Sequence, residues 1–360
     1  MKKVAIVGTN GYPSRYGGFE TLAEYLILNL HNKYRFRIYC STKVYSIEER
    51  TKVFPEVKRI FLPFKANGWQ SIIYDVLSLF HAYFTADTIL FLGPTSTGFF
   101  SILNIFFRKN FIVNHGGLNE WEREKYKLLE RKWAKMNHYL AAKFSSINIT
   151  DNFILQNSIK QGFHADSIVI RYGGDHVINV LSKTKLIDKY KFMNSDYVIS
   201  VSRAQVDNNL HVLLEAFKKL NAYKLVLVSN WTFSSYGKAL KEKYSGVPNL
   251  ILVDAIYDIQ ELNTLRANAK LYVHSHSFCG TAPSLVEAMN LKVPILCFNV
   301  PTNREVTENQ SKYFTNSNEL IEILENITTQ ELNEISKNLY SIAQKKYNWQ
   351  IIAGQYEAIF

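Results

Sequence analysis

The segment densest in usable chemistry is 274–290, HSHSFCGTAPSLVEAMN. The β-rich run KLYVHSH (270–276) enters a loop of small residues, punctuated by Gly280 and Pro283, that opens directly into a helix, LVEAM, with Ser284 placed to cap it. Amides at such a helix start have no intrahelical partners, and the helix dipole adds roughly half a positive charge, enough to hold a diphosphate without a metal. The positions expected to meet an anion are therefore Gly280, Thr281, Pro283, Ser284 and Leu285. Glu287, one turn in, is placed to accept hydrogen bonds from ribose hydroxyls. His274 and His276 alternate on the strand around Ser275; two imidazoles are too few for a metal site and read as core or loop side chains.

A second glycine cluster, GTNGYPSRYGGFET (8–21), also follows a strand and precedes a helix, the place where an α/β sheet meets phosphate or sugar. It is not a dinucleotide fingerprint, because Gly8 and Gly11 have the wrong spacing and the second strand ends in YCS with no acidic residue for a ribose. Gly17 and Gly18 permit close backbone approach, and Arg15 adds a charge that is not lost near neutral pH. No Asp-x-Asp pair occurs anywhere, so no metal clamp on a diphosphate is signalled and the neutralising charge falls to protein cations. Arg203, just after the run YVISVS, stands where one is needed. His115, in NHGG at another strand end, faces the expected cleft and is a candidate for touching substrate.

Strand-like and helical runs alternate from the start: KVAIVG, FETLAEYLILNLHN, RFRIYCS, a helix at 71–84, TILFLG, FFSILNIFF, NFIVNHG, a charged helix from Glu120 to Phe144, SINIT and SIVIRYGGD. Such alternation predicts an α/β fold with a parallel sheet covered on both faces. After the polar stretch 176–196, which reads as a linker, a second series begins at 197 with YVISVS, HVLLEAFKKL, KLVLVSN, LILVDAI, LYVHSH and VPILCFN. The expected organisation is two doubly wound, Rossmann-like lobes, 1–178 and 179–346. The amphipathic segment 347–360 is expected to form a helix crossing back to the first lobe.

The chain has 360 residues, 47% of them hydrophobic, and a net charge of +11. The charge is uneven: residues 1–175 hold 23 Lys and Arg against 14 Asp and Glu, while 176–360 hold 19 against 17. A basic first half suits nucleic acid, an anionic membrane surface or a phosphorylated acceptor. No zinc-finger spacing, RNP-like run or arginine-rich block supports nucleic acid. The three cysteines, Cys40, Cys279 and Cys297, follow no ligand spacing and read as reduced thiols of a cytosolic protein, and MKKVAIVGTN reads as a first strand. No stretch of about 20 apolar residues would span a bilayer. The aromatic segments 71–84 and 98–107 read as core helices, with peripheral membrane contact as the alternative.

The glycine-rich first loop, Arg203 after the opening strand of the second lobe, the SLVEAM helix and the closing YNW helix together resemble a GT-B glycosyltransferase of the retaining family 4. More narrowly, GYPSRYGGFET, IRYGGD (170–175), HSHSFCGTAPSLVEAM and NREVTEN (303–309) resemble bacterial rhamnosyltransferases that build capsule or other surface polysaccharide. The resemblance implies a cofactor- and metal-free cytosolic enzyme, peripheral on the inner face of the membrane, moving L-rhamnose from its dTDP-activated form onto a polyprenyl-diphosphate-linked sugar in a cleft between the lobes. It implies donor contacts from Gly17, Gly18, Arg203, Asn208, the 280–285 loop and Glu287, and acceptor contacts from Tyr16, Asn114, Glu120 and Tyr172. His115, Arg15 and Glu20 fall at the catalytic positions. Two departures stand out. The first glutamate of the family's spaced pair is Cys279 here, which shifts donor-sugar contacts to Ser277 or to the amides of Gly280 and Thr281. The family's lysine five residues after the arginine is Asn208. A nucleotide-sugar epimerase or hydrolase, and a non-catalytic scaffold of an envelope-assembly complex, are the alternative readings.

Overall fold

The computed structural model describes residues 1–15, 17–117, 119–123, 126–177, 180–220 and 222–360. Tyr16, expected at the acceptor side, lies outside the described residues. The chain divides into one unit of Met1–Arg171 with Trp349–Phe360 and a second of Tyr172–Asn348.

Unit 1 is a seven-stranded parallel sheet of β1 (Lys2–Val7), β2 (Tyr34–Ser41), β3 (Val57–Leu62), β4 (Thr88–Leu92), β5 (Asn110–Asn114), β6 (Ile147–Thr150) and β7 (Ile168–Val169). The order is β3-β2-β1-β4-β5-β6-β7, so direction of winding reverses between β1 and β4. β4 reads TILFL and is buried at every position, the apolar run of a strand covered on both faces rather than an alternating one. Val7, Tyr39, Tyr74, Leu79, Phe91 and Phe111 meet in the core. The helix Trp349–Glu357 packs here: Trp349 stacks on Tyr25 at 4.9 Å, and the Phe360 carbonyl accepts from Thr88 Oγ1 at 3.1 Å.

Unit 2 is a six-stranded parallel sheet of β8 (Tyr197–Val201), β9 (Lys224–Ser229), β10 (Leu250–Asp254), β11 (Leu271–His274), β12 (Ile295–Phe298) and β13 (Lys312–Phe314), in the order β10-β9-β8-β11-β12-β13. Its winding reverses between β8 and β11. Leu213, Phe217, Leu227, Trp231, Leu271 and Leu296 share its core. The stretch 176–196 is not a bare linker: Tyr172–Asn348 form one unit, and short turns at Asp175–Val177, Lys183–Lys185 and Lys191–Asn194 lay it against that unit. Gly174, in the IRYGGD run, is the close-approach point, since a Cβ there would come within 2.7 Å of the Val286 carbonyl on the helix Pro283–Asn290.

In open α/β sheets the crevice at a winding reversal, beyond the carboxyl ends of the strands, is where ligands bind. Each unit has one. In unit 1 it lies where the loops after β1, β4 and β5 begin, and in unit 2 where the loops after β8 and β11 begin.

Candidate functional site

In unit 2 the two loops at the reversal are sewn together. Ser275 Oγ donates to the Asn208 carbonyl at 2.6 Å, Asn209 Nδ2 to the Ser275 carbonyl at 3.0 Å, and both the amide and hydroxyl of Ser277 to the Asp207 carbonyl at 2.9 and 3.0 Å. This lattice sets exposed Arg203 beside the 275–282 loop, close enough for its charge to act on His276. The expected convergence of a cation with the loop before the helix is therefore present. Its details differ from expectation at four residues. Asn208 is 6% exposed and gives its side-chain N–H to the Arg203 carbonyl at 2.8 Å, so it shapes the arginine's loop rather than standing ready for a phosphate. Ser277 is likewise committed to the loop. The helix N-cap is Ala282, not Ser284, because the chain enters the helix through Pro283 at its first position. Leu285 is fully buried in the core and its amide is bonded to the Ala282 carbonyl at 3.0 Å. Since Pro283 has no amide hydrogen, the anion-holding capacity of this helix start rests on Ser284 and the buried loop residues Gly280 and Thr281.

Glu287 is held from two sides. Arg266, 3% exposed on the helix Ile259–Ala267, bonds its Oε2 at 2.7 Å, and His176 Nε2 lies 3.3 Å from Oε1. Although burial alone would raise the carboxyl, the Arg266 guanidinium and His176 pull it down to about 2. The result is a fixed carboxylate whose remaining lone pairs can accept hydroxyls without reorientation. Neither partner stood out in the sequence: Arg266 sits mid-helix in IQELNTLRANA and His176 opens the stretch taken as a linker.

Unit 1 places its expected residues differently. Glu20 is 8% exposed, and one carboxylate oxygen takes both the backbone amide (3.0 Å) and side-chain N–H (2.7 Å) of Asn10. The other points at Gly17, whose φ of 137° and lack of Cβ leave room for it at the start of the helix Gly18–Leu30. Glu20 thus clamps the glycine loop. Arg15 is half-exposed, paired with Glu49 and lying over the Tyr45 ring. Asn114 does not present itself to an acceptor; it is 4% exposed and donates to the Tyr356 hydroxyl at 2.7 Å, tying the C-terminal helix to the sheet. Glu120 forms an ion pair with Arg123 at 3.1 Å, and Tyr172 is buried as the first residue of unit 2.

His115 departs furthest from its expected role. It is 2% exposed, with Nδ1 2.9 Å from His138 Nδ1 and Nε2 3.0 Å from Asn148 Oδ1. The Asn148 amide donates to the Ala142 and Asp166 carbonyls, so its oxygen must face His115 and Nε2 carries the proton. His138 Nδ1–H then donates to His115, and Thr95 Oγ1, 3.2 Å from His138 Nε2, donates in turn. A strand-end position does not specify which way a ring points, and here it points inward.

Burial lowers His115 and His276 to about 4 and takes His138 and His274 well below the ordinary histidine value. Between the unfolded value near 6.5 and the folded value, the unfolded chain binds more protons, so stability falls as pH falls through that window. For His115 alone the loss should approach about 3 kcal/mol at the bottom of it. Glu287 adds to the decline lower down, its depressed folded value making its stabilisation disappear from about 4.5 towards 2. Urea unfolding at pH 7 and pH 5 should show a clear drop in midpoint; equal midpoints would contradict the neutral, buried network.

Residues 182–347 match the family described as glycosyl transferases group 1, and residues 1–175 match a family described as a domain of unknown function, DUF1972. No curated protein matches the sequence. Among solved structures, sucrose-phosphate synthase from Thermosynechococcus elongatus superposes with a TM-score of 0.82 at 14% identity, covering 100% of this chain and 98% of that one. Anabaena Alr3699/HepE in complex with UDP gives 0.73 at 16% identity, with 99% of each chain covered. WaaG, a glycosyltransferase involved in lipopolysaccharide biosynthesis, gives 0.73 at 12%, also with 99% of each covered. The group 1 glycosyl transferase match thus falls within the second unit, and the two parallel-sheet α/β units together share the GT-B architecture of these solved structures.

Proposed function

We propose that this protein transfers a deoxyhexose, L-rhamnose from dTDP-L-rhamnose, to a polyprenyl-diphosphate-linked saccharide during assembly of a surface polysaccharide, with retention of the donor's anomeric configuration. The observation that carries the nucleotide-sugar part is the reversal point of unit 2, where Arg203, the 275–282 loop and the fixed carboxylate of Glu287 offer one cation, loop amides and a hydroxyl acceptor. The UDP and UDP-glucose complexes of HepE support a nucleotide-sugar donor. The rhamnosyl donor and the lipid-linked acceptor rest on the motif resemblance. The leaving diphosphate is stabilised electrostatically by Arg203 and the helix start, a role that needs no metal. Purified protein incubated with a panel of sugar nucleotides and a synthetic lipid-diphosphate sugar should form product only with acceptor present, and product formation should survive excess EDTA. Conversion of a sugar nucleotide without acceptor would favour the epimerase or hydrolase reading. Activity lost with EDTA and restored by magnesium would overturn metal independence.

Contact with an anionic membrane is part of the same proposal, and the helix Gln70–Thr85 supports it. This helix packs Tyr74, Leu79, Ala82 and Tyr83 into the core together with Ser71, Asp75 and Ser78, yet its outer face still exposes Ile73, Leu77, Phe80 and Phe84, where an amphipathic helix would normally be polar. Phe84 meets Phe107 at 5.0 Å, and Ile105 and Phe106 extend the apolar face to Arg108 and Lys109. Basic residues near an anionic surface contribute about 1 kcal/mol each. Vesicle binding should rise with anionic lipid, fall with salt, and drop severalfold in F80S/F84S; identical binding to neutral vesicles would reject the electrostatic part.

A further inference from the structure

The loop after β11 carries a donor set that the sequence alone did not assemble. His274 and His276, two apart on an extended segment, project to the same side, and the turn through Phe278 brings the Cys279 thiol back against them. The ligating atoms of all three lie within 4.8 Å of one another. His274 Nε2 is 4.0 Å from Cys279 Sγ, and the two imidazole rings are 4.3 Å apart between centroids. His276 Nε2 is buried with no hydrogen-bond partner among the described residues, an uncommon state for a ring nitrogen.

A neighbouring side chain orients the thiol. Asn303, fully buried, donates its side-chain N–H to the His276 carbonyl at 3.0 Å and to the Phe298 carbonyl at 2.9 Å, which leaves its oxygen facing Cys279 Sγ at 3.4 Å. The NREVTEN helix thereby fixes the orientation of the thiol from outside the set. The environment is positive on one side, where Arg203 acts on His276, and a thiolate is the ligand that would offset it.

We propose that His274, His276 and Cys279 form a binding site for a borderline-soft divalent transition metal, zinc foremost. Two imidazoles and a thiolate match zinc, cobalt and related ions and disfavour magnesium and calcium, which take oxygen ligands. On binding, the Cys279 S–H bond is replaced by a sulfur–metal bond and the proton leaves to solvent; no electron is transferred. Three protein ligands leave the fourth tetrahedral position to water or another exogenous group. The ligand atoms need only draw together from their present separation, within one short loop. The metal is not required by the transfer chemistry proposed above, and the site stands or falls without reference to it.

The test uses the full chain, freed of metal and titrated with Co2+ in the absence of any sugar nucleotide. A thiolate-to-cobalt charge-transfer band with tetrahedral visible bands, saturating at one equivalent and displaced by Zn2+, is the expected result. In Cys279→Ser the charge-transfer band should vanish, and in His276→Ala the affinity should fall by about tenfold or more. Circular dichroism and thermal melts verify that both variants are folded. No charge-transfer band in the wild type, or the same band in Cys279→Ser with Cys40 or Cys297 as its source, would overturn the site. Because the readout involves no turnover, its failure is distinct from failure of the glycosyl-transfer reading, which the acceptor assay alone decides.

Discussion

Arg266→Ala should destabilise the second unit by about 3–5 kcal/mol, the range for removing one partner of a buried ion pair. The reason is what it leaves behind. Glu287 is only 14% exposed, and with the guanidinium gone its charge would face His176 alone at 3.3 Å. The carboxyl would then climb from about 2 towards protonation, and the stretch around His176 would lose its anchor. Chemical denaturation checks the size of the effect, and a double variant checks its cause: Arg266→Met with Glu287→Leu should recover much of the loss, because no uncompensated charge remains. If the double variant is as unstable as the single one, the cost lies in packing and the ion-pair account is wrong.

Arg203→Ala should weaken nucleotide binding by roughly 1.5–3 kcal/mol, the contribution of a charge-assisted hydrogen bond to phosphate. The side chain is exposed at the reversal between β8 and β11, so its removal should leave unfolding midpoints unchanged while calorimetric affinity for a nucleoside diphosphate falls at least tenfold. Unaltered affinity would remove Arg203 from the donor site. The two arginines differ in setting: one is buried and holds Glu287, the other is exposed and is the one expected to meet a ligand.

Most of the central strands were readable because burial on both faces leaves a mark, as in TILFLG and KLVLVSN. The ones that escaped notice lie at sheet edges. β3, VKRIFL, carries two basic residues on a half-exposed strand, and β13 is three residues long, so neither has an apolar run to announce it. The strand–loop–helix turn after β11 was legible because Gly280, Pro283 and the helix behind them follow from local backbone rules. Direction was harder to read. Asn114 and His115 at a strand end, Glu20 just after a glycine loop and Asn208 in the turn before a helix all occupy positions that read as functional addresses, yet each side chain is turned inward to satisfy buried polar groups of its own neighbourhood.

The sequence by itself determined two doubly wound sheets, the loops at their reversal points and the presence of a cation and an acid in the second, because periodicity, glycine placement and helix starts are properties of a few adjacent residues. Tertiary structure alone decided that Glu287 is gripped by Arg266 and His176, that Gly174 lets the IRYGGD run touch the helix bearing Glu287, and that Cys279 joins His274 and His276. Those partners are 21 and 111 residues from Glu287, and even the short path from His276 to Cys279 depends on a loop held by Asp207, Asn208 and Asn303. Hydrogen-bonding demand inside a packed unit, not residue type or spacing, fixes which way such side chains turn.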